Sequence, residues 1–294
     1  MDSTRQDNLI LVTGAEGHIG REVCRSLRAA NKQILPVDVN PPEGGVACDL
    51  RQRDAIAGLF DRNEISVVIH LAGILAGALH SDPLAGADVN LGGSIELIRQ
   101  AAARQVKRFV FASSMSVYGL EERFKPVTEN DPAAPDDLYG GAKRAIELLG
   151  EEVTRQGEME FVALRIARVV GPGIKKTSSP WRAQILESPA TTETIRIPFS
   201  PESKLSLVHV EDVARMFRLL ADNDVEHTVY NSPAEIWEAA ALKKAVEEAR
   251  GIRVELGESG LEGGPACDGS RFEREFGFEM RGLRERLAEC LAQP

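Results

Sequence analysis

Three glycines between a short apolar run and an amphipathic one constrain the fold of this chain more than any other feature. The stretch Val12-Thr13-Gly14-Ala15-Glu16-Gly17-His18-Ile19-Gly20 spaces them three residues apart. In a strand–turn–helix unit the first glycine makes the tight turn, the second lets a phosphate approach the backbone, and the third lets helix pack on strand. The helix N-terminus then presents unpaired N–H groups to that phosphate. The pattern therefore predicts a dinucleotide-binding βαβ unit.

An acidic residue at the end of the next predicted strand indicates which dinucleotide is bound. The run from Gln33 to Val39 reads as a strand, and Asp38 follows Gly20 by 18 residues. A carboxylate at this position accepts hydrogen bonds from both adenosine ribose hydroxyls and repels a 2′-phosphate. Val39 and Asn40 follow, so no arginine lies nearby to bind that phosphate. The sequence favours NAD over NADP.

Short apolar runs alternate with longer amphipathic ones through the first two-thirds of the chain, which predicts an α/β fold, a Rossmann-type doubly wound parallel sheet. We expect an NAD-binding domain at 1–170 that carries the catalytic residues. After Val170 the rhythm changes, and we expect residues 171–294 to form mainly a smaller, irregular C-terminal substrate lobe, with some segments returning to the sheet. Predicted helices include Asp88 to Arg104, Asp136 to Arg155 and Ile236 to Arg250.

Tyr139 and Lys143 lie four residues apart at the start of the helix predicted from Asp136, so they share one helix face. A neighbouring cation lowers the pKa of a tyrosine because it favours the phenolate over the phenol. Upstream, the run from Phe109 to Ser114 reads as a buried strand. Its last residue, Ser114, brings a hydroxyl to the same point. The three side chains form a candidate proton-transfer site.

Composition excludes several other functions. The formal net charge of −10 argues against a general affinity for nucleic acid or an anionic membrane surface. No apolar run approaches the length of a membrane span, and the N-terminus has no hydrophobic signal core. The four cysteines are scattered without metal-ligand spacing, so we expect no metal site, no disulfide framework and a cytoplasmic protein.

Taken in order, these motifs resemble the extended short-chain dehydrogenase/reductase superfamily, in its NAD-dependent epimerase/dehydratase branch, over nearly the whole chain. The resemblance also rests on Asn90, on Ser113 to Gly119, on Gly171-Pro172-Gly173 and on Val208 to Val213. It implies that Tyr139 is the general base and acid, that Lys143 lowers its pKa and binds the nicotinamide ribose, and that Ser114 hydrogen-bonds the reacting oxygen. The residues expected to bind NAD are Gly14, Gly17, His18, Ile19, Gly20, Asp38, Asp49, Leu50, Leu71, Ala72, Gly73, Asn90, Tyr139 and Lys143.

The residues after Ser114 bear on the reaction. Dehydratases and decarboxylases similar to this chain carry Asp or Glu directly after the serine position, and here those positions are Met115 and Ser116. The resemblance therefore favours a nucleotide-sugar epimerase-type enzyme, with an NAD-dependent dehydrogenase of a free sugar or sugar acid as the close alternative. A third hypothesis, an NAD-binding sensor without catalysis, is disfavoured by the intact serine, tyrosine and lysine.

Two departures leave the substrate open. Similar nucleotide-sugar epimerases commonly have asparagine where this chain has Arg168, and arginine where it reads Lys204 to Leu207. Arg168 and Arg182 are candidates for binding a phosphate or carboxylate, because guanidinium pairs well with both. Ser116 is a further candidate substrate contact. A homodimer is common among similar proteins and is expected here on that ground alone.

Overall fold

The computed structural model describes residues 9–119, 125–157, 159–174, 179–187, 193–258 and 264–291. The chain divides into two compact units. The first comprises the described residues of Met1–Ser114, Asp137–Arg165 and Ala214–Tyr230. The second comprises those of Met115–Asp136, Ile166–Val213 and Asn231–Pro294.

Strands and helices follow one another along the described chain. The strands are β1 (Leu9–Thr13), β2 (Ile34–Asp38), β3 (Val46–Ala47), β4 (Ile65–His70), β5 (Arg108–Ser114), β6 (Glu160–Ile166), β7 (Arg168–Val170), β8 (Thr194–Ile197), β9 (Lys204–His209), β10 (Val229–Asn231), β11 (Glu235–Glu238) and β12 (Arg253–Leu256). The α-helices are α1 (His18–Ala29), α2 (Arg53–Asp61), α3 (Ala76–Ser81), α4 (Pro83–Ala87), α5 (Ser94–Ala103), α6 (Leu138–Arg155), α7 (Trp181–Gln184), α8 (Val210–Asp222), α9 (Ala239–Arg250), α10 (Ser270–Phe276) and α11 (Leu283–Leu291). Among them, no described helix has the length and apolar character that crossing a membrane requires.

A seven-stranded sheet forms the centre of the first unit, in the order β10-β6-β5-β4-β1-β2-β3. The strands from β1 to β5 run parallel to their neighbours. Read from β3, the order 3-2-1-4-5-6 is that of a dinucleotide-binding sheet, and it reverses direction between β1 and β4. The predicted Rossmann-type α/β fold is therefore confirmed.

The apolar strands predicted from sequence lie in the core of this sheet. Leu11 of β1, Val68 of β4 and Phe109 of β5 are fully buried and belong to one hydrophobic cluster. Phe109 stacks on Phe161 of β6, with ring centroids 5.8 Å apart. Continuous apolar strands are expected where helices cover both faces of a sheet. This core fixes the ends of β1, β4 and β5, where the candidate site residues lie.

The predicted helix from Asp88 to Arg104 is present, but its first turns are wound differently from the rest. Asp88–Gly93 is a π-helix, and the α-helix begins only at Ser94. Two glycines, Gly92 and Gly93, fall in this segment, and π-helical turns are frequent at functional sites. The change of winding matters because Asn90, a predicted NAD-binding residue, lies inside the π-helix.

The second unit contains two small sheets around its own core. β9 lies between β11, which is antiparallel to it, and β7, which is parallel. β8 and β12 form a separate parallel pair. Buried Trp181, Leu205, Trp237 and Leu242 belong to the hydrophobic cluster of this unit.

The predicted helix from Ile236 to Arg250 is wrong at its start. Glu235–Glu238 is strand β11, and the helix α9 begins at Ala239. Ile236 is 46% exposed while Trp237 is buried, which is the period-2 alternation of a half-buried strand. Pairing with β9 therefore overrides the helical spacing of the apolar residues further along.

Candidate active site

The glycine turn has the geometry that a bound pyrophosphate requires. Gly14 has a φ of +69°, and a Cβ there would lie 2.7 Å from the backbone nitrogen of Ala72. A Cβ on Gly20 would lie 1.9 Å from the carbonyl oxygen of Gly14. Gly17 is the N-cap of α1, so the N-terminal N–H groups of that helix lie at the turn. Only glycine fits at Gly14 and Gly20.

The residues that follow the turn, and the acid of β2, lie beside it. His18 and Ile19 form the first turn of α1. Asp38 ends β2, and its Oδ2 accepts a hydrogen bond from the backbone N–H of Glu16 at 3.1 Å. Its Oδ1 accepts one from the N–H of Asn40 at 3.2 Å. The carboxylate is thus held at the glycine turn.

Asp49 and Leu50 follow β3. The Asp49 carboxylate accepts hydrogen bonds from the backbone and guanidinium of Arg51, and these bonds lower its pKa. Leu50 is buried, and a Cβ on Gly93 would lie 2.7 Å from its Cβ. Asp49 lies on the surface of the unit, bound to its neighbour, whereas Leu50 packs against the π-helix.

A buried hydrogen-bond chain joins the ends of β1 and β4 to the π-helix. His70 is fully buried, its Nδ1 lies 2.7 Å from Thr13 Oγ1, and its Nε2 lies 2.9 Å from Ser94 Oγ. Ser94 donates its hydroxyl hydrogen to the carbonyl of Asn90, so His70 donates from Nε2 and accepts at Nδ1 from Thr13. Burial lowers the pKa of His70 to about 3, which keeps the ring neutral. The chain continues to the backbone N–H of Ala72, which donates to Thr13 Oγ1.

The loop after β4 is held by the same elements. The Asn90 side chain accepts from the N–H of Ile74 at 2.7 Å and donates to its carbonyl at 2.9 Å. The N–H of Leu71 donates to the carbonyl of the last residue of β1 at 3.3 Å. A Cβ on Gly73 would lie 3.3 Å from Asn90 Oδ1 and 3.7 Å from Lys143 Nζ. Gly73 and Asn90 are therefore brought to the predicted catalytic lysine.

Helix α6 places Tyr139 in its first turn. Asp137 caps the helix, because its side chain accepts a hydrogen bond from the N–H of Gly140 at 2.6 Å. Tyr139 is half-buried at this helix end. The N-terminal end of a helix carries partial positive charge, which favours an anion such as a phenolate.

Lys143 lies one turn later and is buried. Its Nζ donates to the carbonyl of Ala112 in β5 at 2.7 Å, and it lies 5.6 Å from the ring centroid of Tyr139. Burial lowers the pKa of Lys143 to about 8, while the nearby Glu147 carboxylate acts in the opposite direction. Ser114, half-buried, ends the same strand two residues after Ala112. The α6–β5 contact therefore fixes the lysine close to the strand that ends in the candidate serine.

The three candidate substrate residues belong to the second unit. Ser116 lies half-buried in a 3-10 helix, Met115–Tyr118. The guanidinium of Arg168 lies 4.7 Å from the ring centroid of Phe199. Burial, with a further contribution from the charge of Arg182, lowers the pKa of Arg168 to about 10. The positive charge of Arg182 thus disfavours the positive charge of Arg168, whose guanidinium is poorly solvated.

Comparison with known proteins decides the family. The model of the NAD-dependent epimerase/dehydratase family matches residues 10–232, from the first strand to beyond the last strand of the seven-stranded sheet. The chain belongs to this family. Membership makes it an NAD-dependent enzyme of the extended short-chain dehydrogenase/reductase type, as the sequence motifs predict.

Individual relatives and solved structures show which kinds of enzyme the chain is similar to. A UDP-glucose 4-epimerase of Cyamopsis tetragonoloba is 28% identical, over 92% of this chain and 90% of that protein. An L-arabinose 1-dehydrogenase (NAD(P)(+)) of Haloferax volcanii is 32% identical, over 53% of this chain and 65% of its own length. The solved structure of MoeE5 in complex with UDP-glucuronic acid and NAD superposes with a TM-score of 0.80 at 26% identity, covering 95% of this chain and 96% of that one.

The geometry of the first unit fits the cofactor of the family. The backbone at Gly14 and Gly20 leaves no room for side chains, and the N-terminal N–H groups of α1 lie at the turn, which suits a pyrophosphate. Asp38 lies at the end of β2, where an adenosine ribose binds in folds of this order. Bound NAD supplies a nicotinamide carbon that accepts and returns hydride. The glycine turn, Asp38 and the Gly73–Asn90 loop would hold it.

Sequence reasoning missed a buried group behind the lysine. Glu147 is fully buried in α6 and accepts hydrogen bonds from Ser113 Oγ at 2.5 Å and from the Arg165 guanidinium at 2.9 and 2.7 Å. Its signal was present, since Glu147 lies four residues after Lys143 on the same helix face. The His70 chain was missed as well, because a histidine at a strand end carries no pattern that predicts its partners.

Proposed function

We propose that this enzyme is a nucleotide-sugar epimerase that inverts a secondary alcohol carbon by removing and returning a hydride. The observation that carries the proposal is Lys143, buried and fixed to β5 one helical turn from Tyr139. The full-length similarity to a UDP-glucose 4-epimerase supports the substrate class. The resemblance to MoeE5, solved with UDP-glucuronic acid and NAD, supports it independently.

In the proposed reaction Tyr139 takes the proton of the substrate hydroxyl, and NAD held by the glycine turn and Asp38 would take up the hydride of the same carbon. Ser114 donates a hydrogen bond to the reacting oxygen. Lys143, as a cation close to the phenol ring, favours the phenolate that accepts the proton. When the hydride returns to the opposite face of the carbon, Tyr139 gives the proton back to the oxygen. Protons and electrons balance, so an epimerase consumes no cofactor.

The absence of an acid next to Ser114 supports epimerisation over elimination. Elimination of water needs a group that protonates the departing hydroxyl, and general acids are commonly carboxyl groups. Met115 and Ser116 occupy the two positions after the serine, and neither side chain is an acid. The proposed chemistry therefore stops at oxidation and reduction of one carbon.

Arg168 and Arg182 support an anionic substrate. Two positive charges that repel each other with little solvation favour the binding of an anion between or beside them, because the anion offsets their repulsion. We infer that these two residues bind the diphosphate of a nucleotide sugar. Arg168→Met should raise the KM for UDP-glucose about 10-fold or more, the loss expected for one charged hydrogen-bond donor. Arg196→Met is the matched control, since that side chain is 84% exposed in the same unit and its loss should leave KM unchanged.

A dehydrogenase of a free sugar is the second candidate. Arg168 stands where similar nucleotide-sugar epimerases have asparagine, and one relative is an L-arabinose 1-dehydrogenase. A guanidinium also binds a carboxylate well, which suits a sugar acid. This candidate requires net formation of NADH, which an epimerase does not produce.

Product analysis separates the two candidates. The purified enzyme is mixed with UDP-galactose without added NAD, and the products are resolved by NMR. The proposed function predicts UDP-glucose and no net NADH, and it predicts that Tyr139→Phe slows the conversion by about 10²- to 10⁴-fold. The second arm supplies NAD with L-arabinose, uronic acids and aldonic acids. NADH formation in that arm, with UDP-galactose unchanged in the first, would overturn the epimerase proposal in favour of the dehydrogenase.

We further propose that the enzyme acts in the cytoplasm. None of its four cysteines, all within the described residues, forms a disulfide, and reduced thiols are usual in that compartment. The homodimer expected from similar proteins stays a prediction, which the mass of the purified protein measured by analytical ultracentrifugation tests.

A further inference from the structure

Glu147 is a carboxylate that the proposed proton transfer does not use. It is fully buried, and burying an ionised carboxylate is costly unless it is paired and hydrogen-bonded. Its partners are Ser113 Oγ, the guanidinium of Arg165 in a two-bond contact, and Arg144 Nη1 at 3.0 Å. A charge kept at this cost inside the first unit, directly behind the active-site lysine, calls for an explanation.

Glu147 lies near both parts of the candidate site, the residues of α6 and the end of strand β5. Tyr139, Lys143 and Glu147 follow one another at intervals of four residues, so they lie along one face of α6. Ser113, which Glu147 holds by a hydrogen bond, directly precedes Ser114. The carboxylate therefore contacts the strand that ends in the serine and lies one turn from the lysine.

The charged groups around Lys143 can be named from each packed element. On α6 they are Glu147 and, beyond it, Arg144, which divides its contacts between Glu147 and Glu151. The phenol of Tyr139, on the same helix, has its ring centroid 5.6 Å from Lys143 Nζ. From β4 the neutral His70 faces Lys143, and from β6 Arg165 reaches Glu147. β5 supplies the carbonyl that Lys143 Nζ binds and an aromatic ring, Phe111, 4.7 Å away.

Glu147 opposes the effect of burial on Lys143. Burial favours the neutral amine and lowers the pKa of Lys143 to about 8, whereas the Glu147 carboxylate favours the ammonium. Arg165 acts on the pKa of Lys143 in the direction opposite to Glu147, because its guanidinium offsets the charge of that carboxylate through two hydrogen bonds. The charge that reaches Lys143 thus depends on the balance within the buried Glu147–Arg165 pair.

We propose that Glu147 is a positioning residue that keeps Lys143 protonated and aligned on β5, and that Arg165 limits how strongly it does so. The proposal rests on the role given to Lys143 under the proposed function. It predicts that neutralising either member of the pair moves the titration of Lys143, and that the two changes move it in opposite directions. A pair that served only to hold β6 on α6 would produce no such opposition.

The test measures Lys143 in the intact protein, without substrate. Protein labelled with ¹³C at the lysine Cε is titrated by NMR, and Lys143→Arg assigns the resonance. Glu147→Gln should lower the titration midpoint by about one pH unit or more, since an opposite charge at close range shifts a pKa by that amount. Arg165→Gln should raise it. Glu151→Gln is the matched control on the same helix, and its midpoint should equal that of the native protein.

Each outcome decides the proposal. Midpoints that stay unchanged in Glu147→Gln, or that move in the same direction in both variants, would overturn it. If Glu147→Gln does not fold, the doubly neutral Glu147→Gln/Arg165→Gln variant replaces it, and its midpoint should lie below that of Arg165→Gln. The alkaline limb of kcat/KM for UDP-galactose should follow the same order. Shifted midpoints together with no turnover of any UDP-sugar would refute the proposed function while leaving this inference intact.

Discussion

Replacing Gly14 with alanine separates two reasons why a glycine stands in the dinucleotide turn. The first is backbone conformation, because φ is +69° and a left-handed residue with a Cβ costs about 1–2 kcal/mol. The second is space, because the new Cβ would lie 2.7 Å from the nitrogen and 2.8 Å from the Cα of Ala72. These are backbone atoms, so the loop itself must move, and overpacking of this kind costs about 1–3 kcal/mol more.

Gly44 provides the matched control for that substitution. Its φ is +74°, and nothing lies within 4 Å of the Cβ it would gain. Gly44→Ala should therefore lose only the conformational contribution of about 1–2 kcal/mol and bind NAD normally. Gly14→Ala should lose about 2–5 kcal/mol and bind NAD at least about 10-fold more weakly, because the displaced loop carries Gly73 away from Asn90.

The assay is urea unfolding followed by far-UV circular dichroism, with NAD affinity measured by calorimetry. Tryptophan fluorescence is unsuitable, since both tryptophans, Trp181 and Trp237, belong to the second unit. Equal losses of stability and equal NAD affinities for Gly14→Ala and Gly44→Ala would refute the reasoning that the contact with Ala72 excludes a side chain.

Three further predictions concern the proton relay and its support. Tyr139→Phe should reduce kcat about 10²- to 10⁴-fold with NAD affinity retained, since it removes only general acid–base catalysis; calorimetry and steady-state kinetics check this. In the native enzyme kcat/KM should fall as pH rises through about 8, where buried Lys143 loses its proton, and Lys143→Arg should move that limb to higher pH. His70→Phe should lower the free energy of unfolding, because the hydroxyls of Thr13 and Ser94 lose buried partners at about 1–3 kcal/mol each. That loss should be larger at pH 8 than at pH 6, because below its ordinary pKa of 6.5 His70 takes up a proton in the unfolded chain but stays neutral in the folded protein; an equal loss at both pH values in urea unfolding would contradict the buried neutral ring assigned to it.

The stability contribution of Lys143 has a defined sign. Its pKa is lower in the folded protein than the ordinary 10.5, so the unfolded chain binds more protons between pH 8 and that value. The native protein should therefore gain stability relative to Lys143→Met as pH rises through this window. Urea unfolding of both proteins at pH 7.5 and pH 10 measures the difference, and a native protein that loses stability relative to the variant would contradict the assignment.

Motifs whose spacing is local were predictable from sequence. The three glycines fall on a strand–turn–helix unit, and Tyr139 and Lys143 fall on one face of α6, because both arrangements follow from the geometry of elements within a few residues. The alternation of short apolar runs with longer amphipathic ones predicted that Asp38 lies at the end of β2, where the structure has it. These features needed no tertiary information.

Features that depend on partners distant in the chain were not predictable. The short strands β8 and β12 pair with each other in parallel, starting at Thr194 and Arg253. Neither segment has a strong strand pattern in its own sequence, so each is a strand because of that pairing. Trp237 lies in a strand because β9 lies alongside, although its surroundings have helical spacing. The Glu147–Arg165 pair needed the register of α6 against β6, which the sequence does not display.

The central claim is that one active site removes a hydride from a sugar carbon and returns it to the same carbon. UDP-galactose carrying deuterium at C4 tests it most directly, with the UDP-glucose formed in the absence of added NAD analysed by mass spectrometry. The account predicts that the product retains the deuterium at C4 with no reduced cofactor released. UDP-glucose without the label, or no UDP-glucose at all, would contradict it.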